Sequence, residues 1–270
     1  MEDKHTCLMV GLPCAGKSTY IAAFWAIEKE GNTGHNVSCR RYPSDTTYLD
    51  ELKNKWLRQE LVQRTVLSTR VELDLVNIEN NQELVLQIPD FKGEDFHSIL
   101  MNEVNDTLFQ WIKKADSILF FVPQFSMPAL KDEVIAGDES RDAKSNPAFT
   151  LTSVSLLTQN IMLLKYLSDT CGMATPISIC FSAWDEIDTE SKSVEEWLHR
   201  EYPFFYNFVT NHFCKYRFFG VSAQGKKYGE GGNDFDEELD ELTEKKQRAY
   251  VFTDHKSNDI TEPLSFLLEA

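Results

Sequence analysis

Gly11-Leu12-Pro13-Cys14-Ala15-Gly16-Lys17-Ser18 is the stretch whose residue types and spacing prescribe a chemistry. It fits the phosphate-binding pattern Gly-x-x-x-x-Gly-Lys-Ser without substitution. Gly11 and Gly16 let the backbone turn tightly and bring its N–H groups onto phosphate oxygens. A helix starting near Lys17 aims the positive end of its dipole at the same anion. Lys17 is expected to reach the β- and γ-phosphates, and the Ser18 hydroxyl to ligate Mg²⁺. Cys14, Ala15 and Thr19 complete the expected phosphate-binding set. Cys14 sits near a helix N-terminus, where a thiol becomes more acidic, or it is an inert filler at a variable loop position. The reading is a bound nucleoside triphosphate.

A second candidate group is Asp90-Phe91-Lys92-Gly93-Glu94, which follows the strand-like run Glu83–Ile88. A carboxylate at the carboxyl end of a strand is where Mg²⁺ is held, so Asp90 is a candidate metal residue. Gly93 can offer its N–H to a γ-phosphate, because a residue without Cβ permits close approach. Two further strand ends carry Ser182-Ala183-Trp184-Asp185 and Ser222-Ala223-Gln224-Gly225.

The elements that must position these groups follow from periodicity. Thr6–Val10, Ser117–Val122, Pro176–Phe181 and Tyr216–Val221 are short apolar runs, expected of buried parallel strands. Thr69–Val76 and Glu83–Ile88 alternate apolar and polar residues around Asn80-Asn81-Gln82, which predicts an antiparallel hairpin. Helices are expected after the phosphate loop to Gly31, around Tyr48–Leu57, over Phe96–Lys114, and over Ala148–Thr170, ended by Gly172. Another runs from Val194 to Phe213, broken or kinked near Pro203. Ala249–Phe252 reads as a short added strand, and Ile260–Leu268 as a terminal helix with Thr261 as N-cap and Pro263 in its first turn. Asn32 to Leu61 starts polar and irregular. The expected fold is α/β: a mainly parallel sheet with one antiparallel edge strand and helices on both faces, in one domain spanning 1–270. A mobile loop is expected at about 123–147, and an acidic, solvated insertion at about 226–246. Ligands in such sheets bind at the carboxyl ends of the strands, which is where every motif above falls.

Composition narrows the partners. A formal net charge of −16 argues against non-specific binding to nucleic acid or to an anionic membrane. There is no signal-peptide pattern and no apolar run long enough to span a bilayer. The six cysteines are scattered without Cys-x-x-Cys spacing, as expected of a reduced cytoplasmic protein.

In order, these motifs resemble the Ras-like GTPase core of the TRAFAC class of P-loop GTPases. Within it, the chain is most similar to the bacterial double-GTPase families. The resemblance covers almost the whole chain. It rests on Val10-Gly11-Leu12-Pro13 with Gly16-Lys17-Ser18-Thr19, Trp56-Leu57 ahead of Arg64-Thr65, Pro89-Asp90 with Gly93-Glu94-Asp95-Phe96, Trp184-Asp185-Glu186 and Thr261-Glu262-Pro263-Leu264. It implies GTP or GDP with Mg²⁺ as ligands. Thr65 would then close on Mg²⁺ and the γ-phosphate, and Asp90 with Gly93 would form the second switch. Asp185 would accept from guanine N1 and N2, and the Ala223 N–H, next to Ser222, would support O6. It also implies a protein effector or activating partner, with a homodimer among the options, in a bacterial conflict or defence setting.

This sequence departs from the family pattern in two places. The base-reading Asn/Thr-Lys-x-Asp is Ser182-Ala183-Trp184-Asp185 here, so no lysine stem covers the base. Trp184 either stacks near it or belongs to the core. The glutamine that orients attacking water is replaced by Glu94, which either acts through water or starts a helix. Arg64 is a candidate finger in cis or the partner of an acidic surface group. Hydrolysis is therefore expected to be slow. Two other classes share the phosphate loop: a small-molecule or nucleoside kinase using ATP, and a nucleotide-binding adaptor without turnover. The kinase class usually carries an Arg-rich lid, where residues 230–244 are acidic.

Overall fold

The computed structural model describes residues 4–31, 34–60, 71–89, 99, 106–123, 154–187, 190–225 and 248–269. Nine strands among them form one sheet in the order β2-β3-β4-β1-β5-β6-β7-β8-β9. They are β1 His5–Gly11, β2 Val37–Arg41, β3 Val71–Asn77, β4 Glu83–Ile88, β5 Ser117–Val122, β6 Ile177–Ser182, β7 Tyr216–Ser222, β8 Tyr250–Phe252 and β9 Lys256–Ser257. The helices are α1 Lys17–Lys29, α2 Thr47–Leu57, α3 Asp106–Lys114, α4 Leu156–Cys171, α5 Val194–Glu201, α6 Pro203–His212 and α7 Glu262–Glu269.

The sheet is mixed. β4, β1, β5, β6 and β7 pair in parallel, while β2, β3, β8 and β9 enter through antiparallel pairings. The expectation of a mainly parallel sheet with one antiparallel edge is corrected by this count of four parallel and four antiparallel pairings among the described residues. The expected hairpin is β3–β4, but β3 is an inner strand, because β2 pairs beyond it. Only Val37 of β2 is buried, so an edge strand within the polar stretch 32–61 leaves no apolar alternation to detect. At the other edge the expected short added strand is β8, three residues long, and β9, of two residues, is too short for a periodicity signal.

Alternation across the strands divides the core into two layers. Cys7 and Met9 of β1 face α1, α2 and α7, together with Leu119, Phe121, Cys180 and Phe219. Leu8 and Val10 face α3 to α6, together with Phe120, Ile179, Phe181 and Phe218. Helix α1 is buried continuously from Tyr20 to Glu28, as a helix enclosed on all sides must be. The expected break at Pro203 separates α5 from α6. Of the helices expected over 96–114 and 148–170, the structure describes α3 and α4; the features expected at about 226–246, and at 124–147, lie outside the described residues.

The C-terminal segment is fixed by one buried carboxylate. Asp259 accepts from the Asn36 N–H at 2.9 Å, the Thr261 N–H at 2.8 Å and the Thr261 hydroxyl at 2.5 Å. His35 Nδ1 lies 3.2 Å away. Thr261 takes the N-cap position, its carbonyl accepting from the Ser265 N–H. Its hydroxyl also accepts from the Val37 N–H, so it joins β2 to the start of α7. Tyr20 donates from α1 to the Ile260 carbonyl at 2.9 Å. Burial pushes the Asp259 carboxyl up, but hydrogen bonds from His35, Thr261 and Asn36 outweigh it and hold it below the usual carboxylate value.

A folded-state pKa below the unfolded one gives stability that is full above about 3.9 and lost as pH falls through the folded value. Asp259→Ala should lower stability at neutral pH by about 2–4 kcal/mol, because two backbone N–H groups lose their acceptor. It should also flatten the acid limb of the stability curve. Denaturant titrations of both proteins from neutrality into acid measure the two effects, and parallel curves would remove Asp259 as their source.

Candidate functional site

The phosphate loop joins β1 to α1. Gly16, at φ +84°, is the left-handed residue that admits the helix, and a Cβ there would stand 2.5 Å from Ser182 Oγ. That approach is used: the Ser182 hydroxyl donates to the Ala15 carbonyl, tying the loop to the end of β6. The first turn of α1, with Lys17, Ser18 and Thr19, has no side-chain cap and no acidic residue. Its N-terminal dipole is therefore set for an anion.

Lys17 lies within the loop. Its Nζ donates to the Gly11 carbonyl at 2.6 Å and the Leu12 carbonyl at 2.8 Å. Burial pulls its pKa down to about 8, against an opposing pull from Cys14. Cys14 is exposed, at φ +60°.

A cavity of about 420 Å³ opens beside the loop. Cys14, Gly16 and Thr19 line it on one side, and Ala183, Asp185 and Ala223 on the other. The ends of β1, β6 and β7 thus share one pocket. Ser222 donates its hydroxyl to Asp185 Oδ1 and accepts from the Gly225 N–H at 3.0 Å. An ionised carboxylate has about four lone-pair sites, so this bond leaves Asp185 able to accept two more donors.

Trp184 goes the other way. It is 5 % exposed, stacks on Phe252 at 5.8 Å and 16°, and meets Trp197 edge-on at 5.1 Å. Of the two roles open to it from the sequence, the core holds it. Ala183, left-handed at φ +52°, precedes a short 3-10 turn over Trp184–Glu186. Within that turn Asp185 lines the cavity while its neighbour is buried.

The structure thus brings together Gly11, Cys14, Ala15, Gly16, Lys17, Ser18 and Thr19 with Asp185, Ser222 and Ala223. Arg64, Thr65, Asp90, Gly93 and Glu94 lie outside the described residues. Sequence reading missed three participants. Ser182 was seen only as part of an altered motif, not as a tether. Tyr250 lies close enough to Asp185 and Ser222 to feel both; burial, then the Asp185 charge, raises its phenol pKa. Trp56 donates its indole N–H to the Ala223 carbonyl at 2.8 Å. No local signal marks such contacts, since each depends on how elements distant in the chain pack together. Among the described residues, no cluster of three His, Cys, Asp or Glu could hold a metal, and no helix is long and apolar enough to cross a membrane.

Compared with known families, the chain matches the family described as Double-GTPase 1 over residues 8–267. No curated protein matches it. Solved structures similar to it include sup35 complexed with GDP, at 12 % identity and a TM-score of 0.38, covering 84 % of this chain and 39 % of that one. A GTP-binding protein from the hyperthermophilic archaeon Sulfolobus solfataricus in complex with GDP is 11 % identical, with a TM-score of 0.37 and coverage of 83 % and 48 %. The signal recognition particle receptor SRb-GTP/SRX complex from Chaetomium thermophilum is 15 % identical, with a TM-score of 0.40 and coverage of 85 % and 95 %. The chain spans between about two fifths and half of the length of the first four such structures. These scores are all below 0.5.

The packing behind Asp185 has a direct test. A Cβ on Gly220 of β7 would fall 2.2 Å from the Trp184 ring. Gly220→Ala should cost about 1–3 kcal/mol of stability, the usual penalty of overpacking a closed core. It should also shift tryptophan emission. Thermal unfolding and fluorescence read both, and an unchanged protein would mean that Trp184 is not locked in place.

Proposed function

The chain belongs to the Double-GTPase 1 family, and on that footing we propose that it binds GTP and GDP with Mg²⁺ and hydrolyses GTP slowly. Its one domain would run over 1–270, with the loops around Thr65 and Asp90–Gly93 responding to the γ-phosphate and controlling a protein partner. The observation that carries this reading is the single cavity that joins the phosphate loop to Asp185 and Ala223.

The described residues fit a guanine nucleotide. The uncapped first turn of α1 and the backbone around Gly16 offer N–H donors to phosphate oxygens. Lys17 would exchange two carbonyl partners for phosphate oxygens. Asp185, held by Ser222, would accept from guanine N1–H and the 2-amino group, a pair that adenine does not present. The Ala223 N–H would meet O6. Mg²⁺, when bound, neutralises phosphate charge, and Ser18 with Thr65 and Asp90 would hold it. In the resemblance, Glu94 takes the sequence position of the water-orienting group, and Arg64 would serve as the charge-stabilising finger. Without a glutamine beside Gly93, turnover is expected to need a partner or a second copy. The bacterial conflict setting is the biological context we propose for that partner.

Calorimetric titration of nucleotide-free protein with GTP, GDP and ATP, each with Mg²⁺, tests the reading. Tight guanine nucleotides and weak ATP are expected. Asp185→Asn should abolish the preference while leaving the fold intact. Equal ATP binding by the wild type would remove Asp185 as base reader and bring the kinase reading forward.

Lys17 adds a pH dependence. Its pKa of about 8 must rise when a polyanion binds beside it. The complex then holds more protons than the free protein, so affinity is full below pH 8 and falls as pH rises through the window above it, by up to about tenfold per unit. Titrations in two buffers of different ionisation enthalpy, run just above that pKa, should report proton uptake. Its absence would mean that Lys17 is already charged in the free loop.

A further inference from the structure

We propose that Trp56 is a positioning residue for recognition of the 6-oxo group of the base, an inference that rests on the guanine reading above. Three observations converge on it. The indole N–H of Trp56 donates to the Ala223 carbonyl at 2.8 Å. The Trp56 side chain is fully buried at the end of α2, so this bond is made away from water. Ala223 itself lines the cavity opposite the phosphate loop.

The bond fixes the peptide that follows Ala223. Ser222, the residue that precedes it, is held from the other side: it pairs with Tyr250 of β8, and its hydroxyl lies between Asp185 Oδ1 and the Gly225 N–H. With the residue before and the carbonyl after both held, the direction of the Ala223 N–H is set before any ligand arrives. A preset donor avoids the ordering cost that a free loop would incur on binding.

Trp56 is itself held. The Arg248 guanidinium lies 3.8 Å from the centre of its ring, and Arg248 Nη2 donates to the Trp56 carbonyl. The ring therefore sits between a cation on its face and a carbonyl at its edge, with little freedom to turn away. Three separate parts of the chain, α2, the loop after β7 and the segment leading into β8, meet at this point.

The test is a comparison of nucleotides that differ only at the base edge. Trp56→Phe keeps an aromatic ring but removes the donor, leaving the Ala223 carbonyl buried without it. A site-specific replacement of Trp56 by benzothienylalanine, isosteric with tryptophan but lacking the N–H, is the second variant should Trp56→Phe fail to fold. Each is titrated with GTP, ITP and 6-thio-GTP, and its thermal unfolding is recorded. ITP keeps O6 and N1–H and lacks the 2-amino group. In 6-thio-GTP a weakly accepting sulfur replaces O6.

Both variants should weaken GTP and ITP by the same factor, roughly five- to twentyfold, the scale of one buried hydrogen bond lost. Binding of 6-thio-GTP should change by less than about twofold, because little of that bond remains to be lost. The wild-type preference for GTP over 6-thio-GTP should therefore narrow in the variants. Equal losses on all three nucleotides in a folded variant would reduce Trp56 to a structural role and overturn the proposal. If the wild type itself shows no preference for GTP over ATP, the guanine reading fails and this proposal with it. A wild type that prefers GTP while its variants lose all three equally defeats the Trp56 proposal alone.

Discussion

Parallel strands that run side by side carry their register to a common edge. Gly11 of β1 pairs with Phe121 of β5, Phe121 with Cys180 of β6, and Cys180 with Phe219 of β7. Two steps further along, Ser182 pairs with Val221. Because each pairing is set by backbone hydrogen bonds, the loops after β1, β6 and β7 leave the sheet at nearly one level. The phosphate loop, Asp185 and Ala223 can then line one cavity. A slip of one residue in any of these strands would turn its core-facing side chains outward, so burial on both faces locks the register.

The polar groups around the cavity follow one pattern: each candidate ligand-binding group is oriented by another group that is itself held. Ser182 ties the phosphate loop, Ser222 holds Asp185, and Trp56 holds Ala223. Behind them lies an aromatic layer in which Trp184, Trp197, Phe252 and Phe181 pack at centroid distances between 5.1 and 5.8 Å. Rigid surroundings of this kind keep a binding site in its working geometry. Beside Ala183, Trp184 anchors the turn by packing against Trp197 and Phe252.

Antiparallel additions at both edges extend the sheet and bring in the C-terminal segment. The β8–β9 hairpin returns the chain across β7, next to Asp185 and Ser222, where Tyr250 senses both. The Asp259 network then ties the approach to α7 back to β2, on the far edge. The face that holds α1, α2 and α7 is therefore closed by polar contacts as well as by its apolar core.

The amino-acid sequence by itself determined what is contiguous. The phosphate loop, its flanking strand and helix, the β3–β4 hairpin and the break at Pro203 all declare themselves within a few residues, because each depends on local spacing or backbone preference. The order of motifs was enough to identify the family, now matched over residues 8–267. Only the tertiary structure decided which distant groups meet. Ser182 and Ala15 are 167 residues apart, as are Trp56 and Ala223. Whether Trp184 faces the base or the core was equally undecidable from its neighbours, since Ala183 turns the chain through a conformation that its side chain does not demand. The edges of the sheet were misjudged for the same reason. An edge strand such as β2 buries one residue, so its place is set by the partner it pairs with rather than by its own pattern.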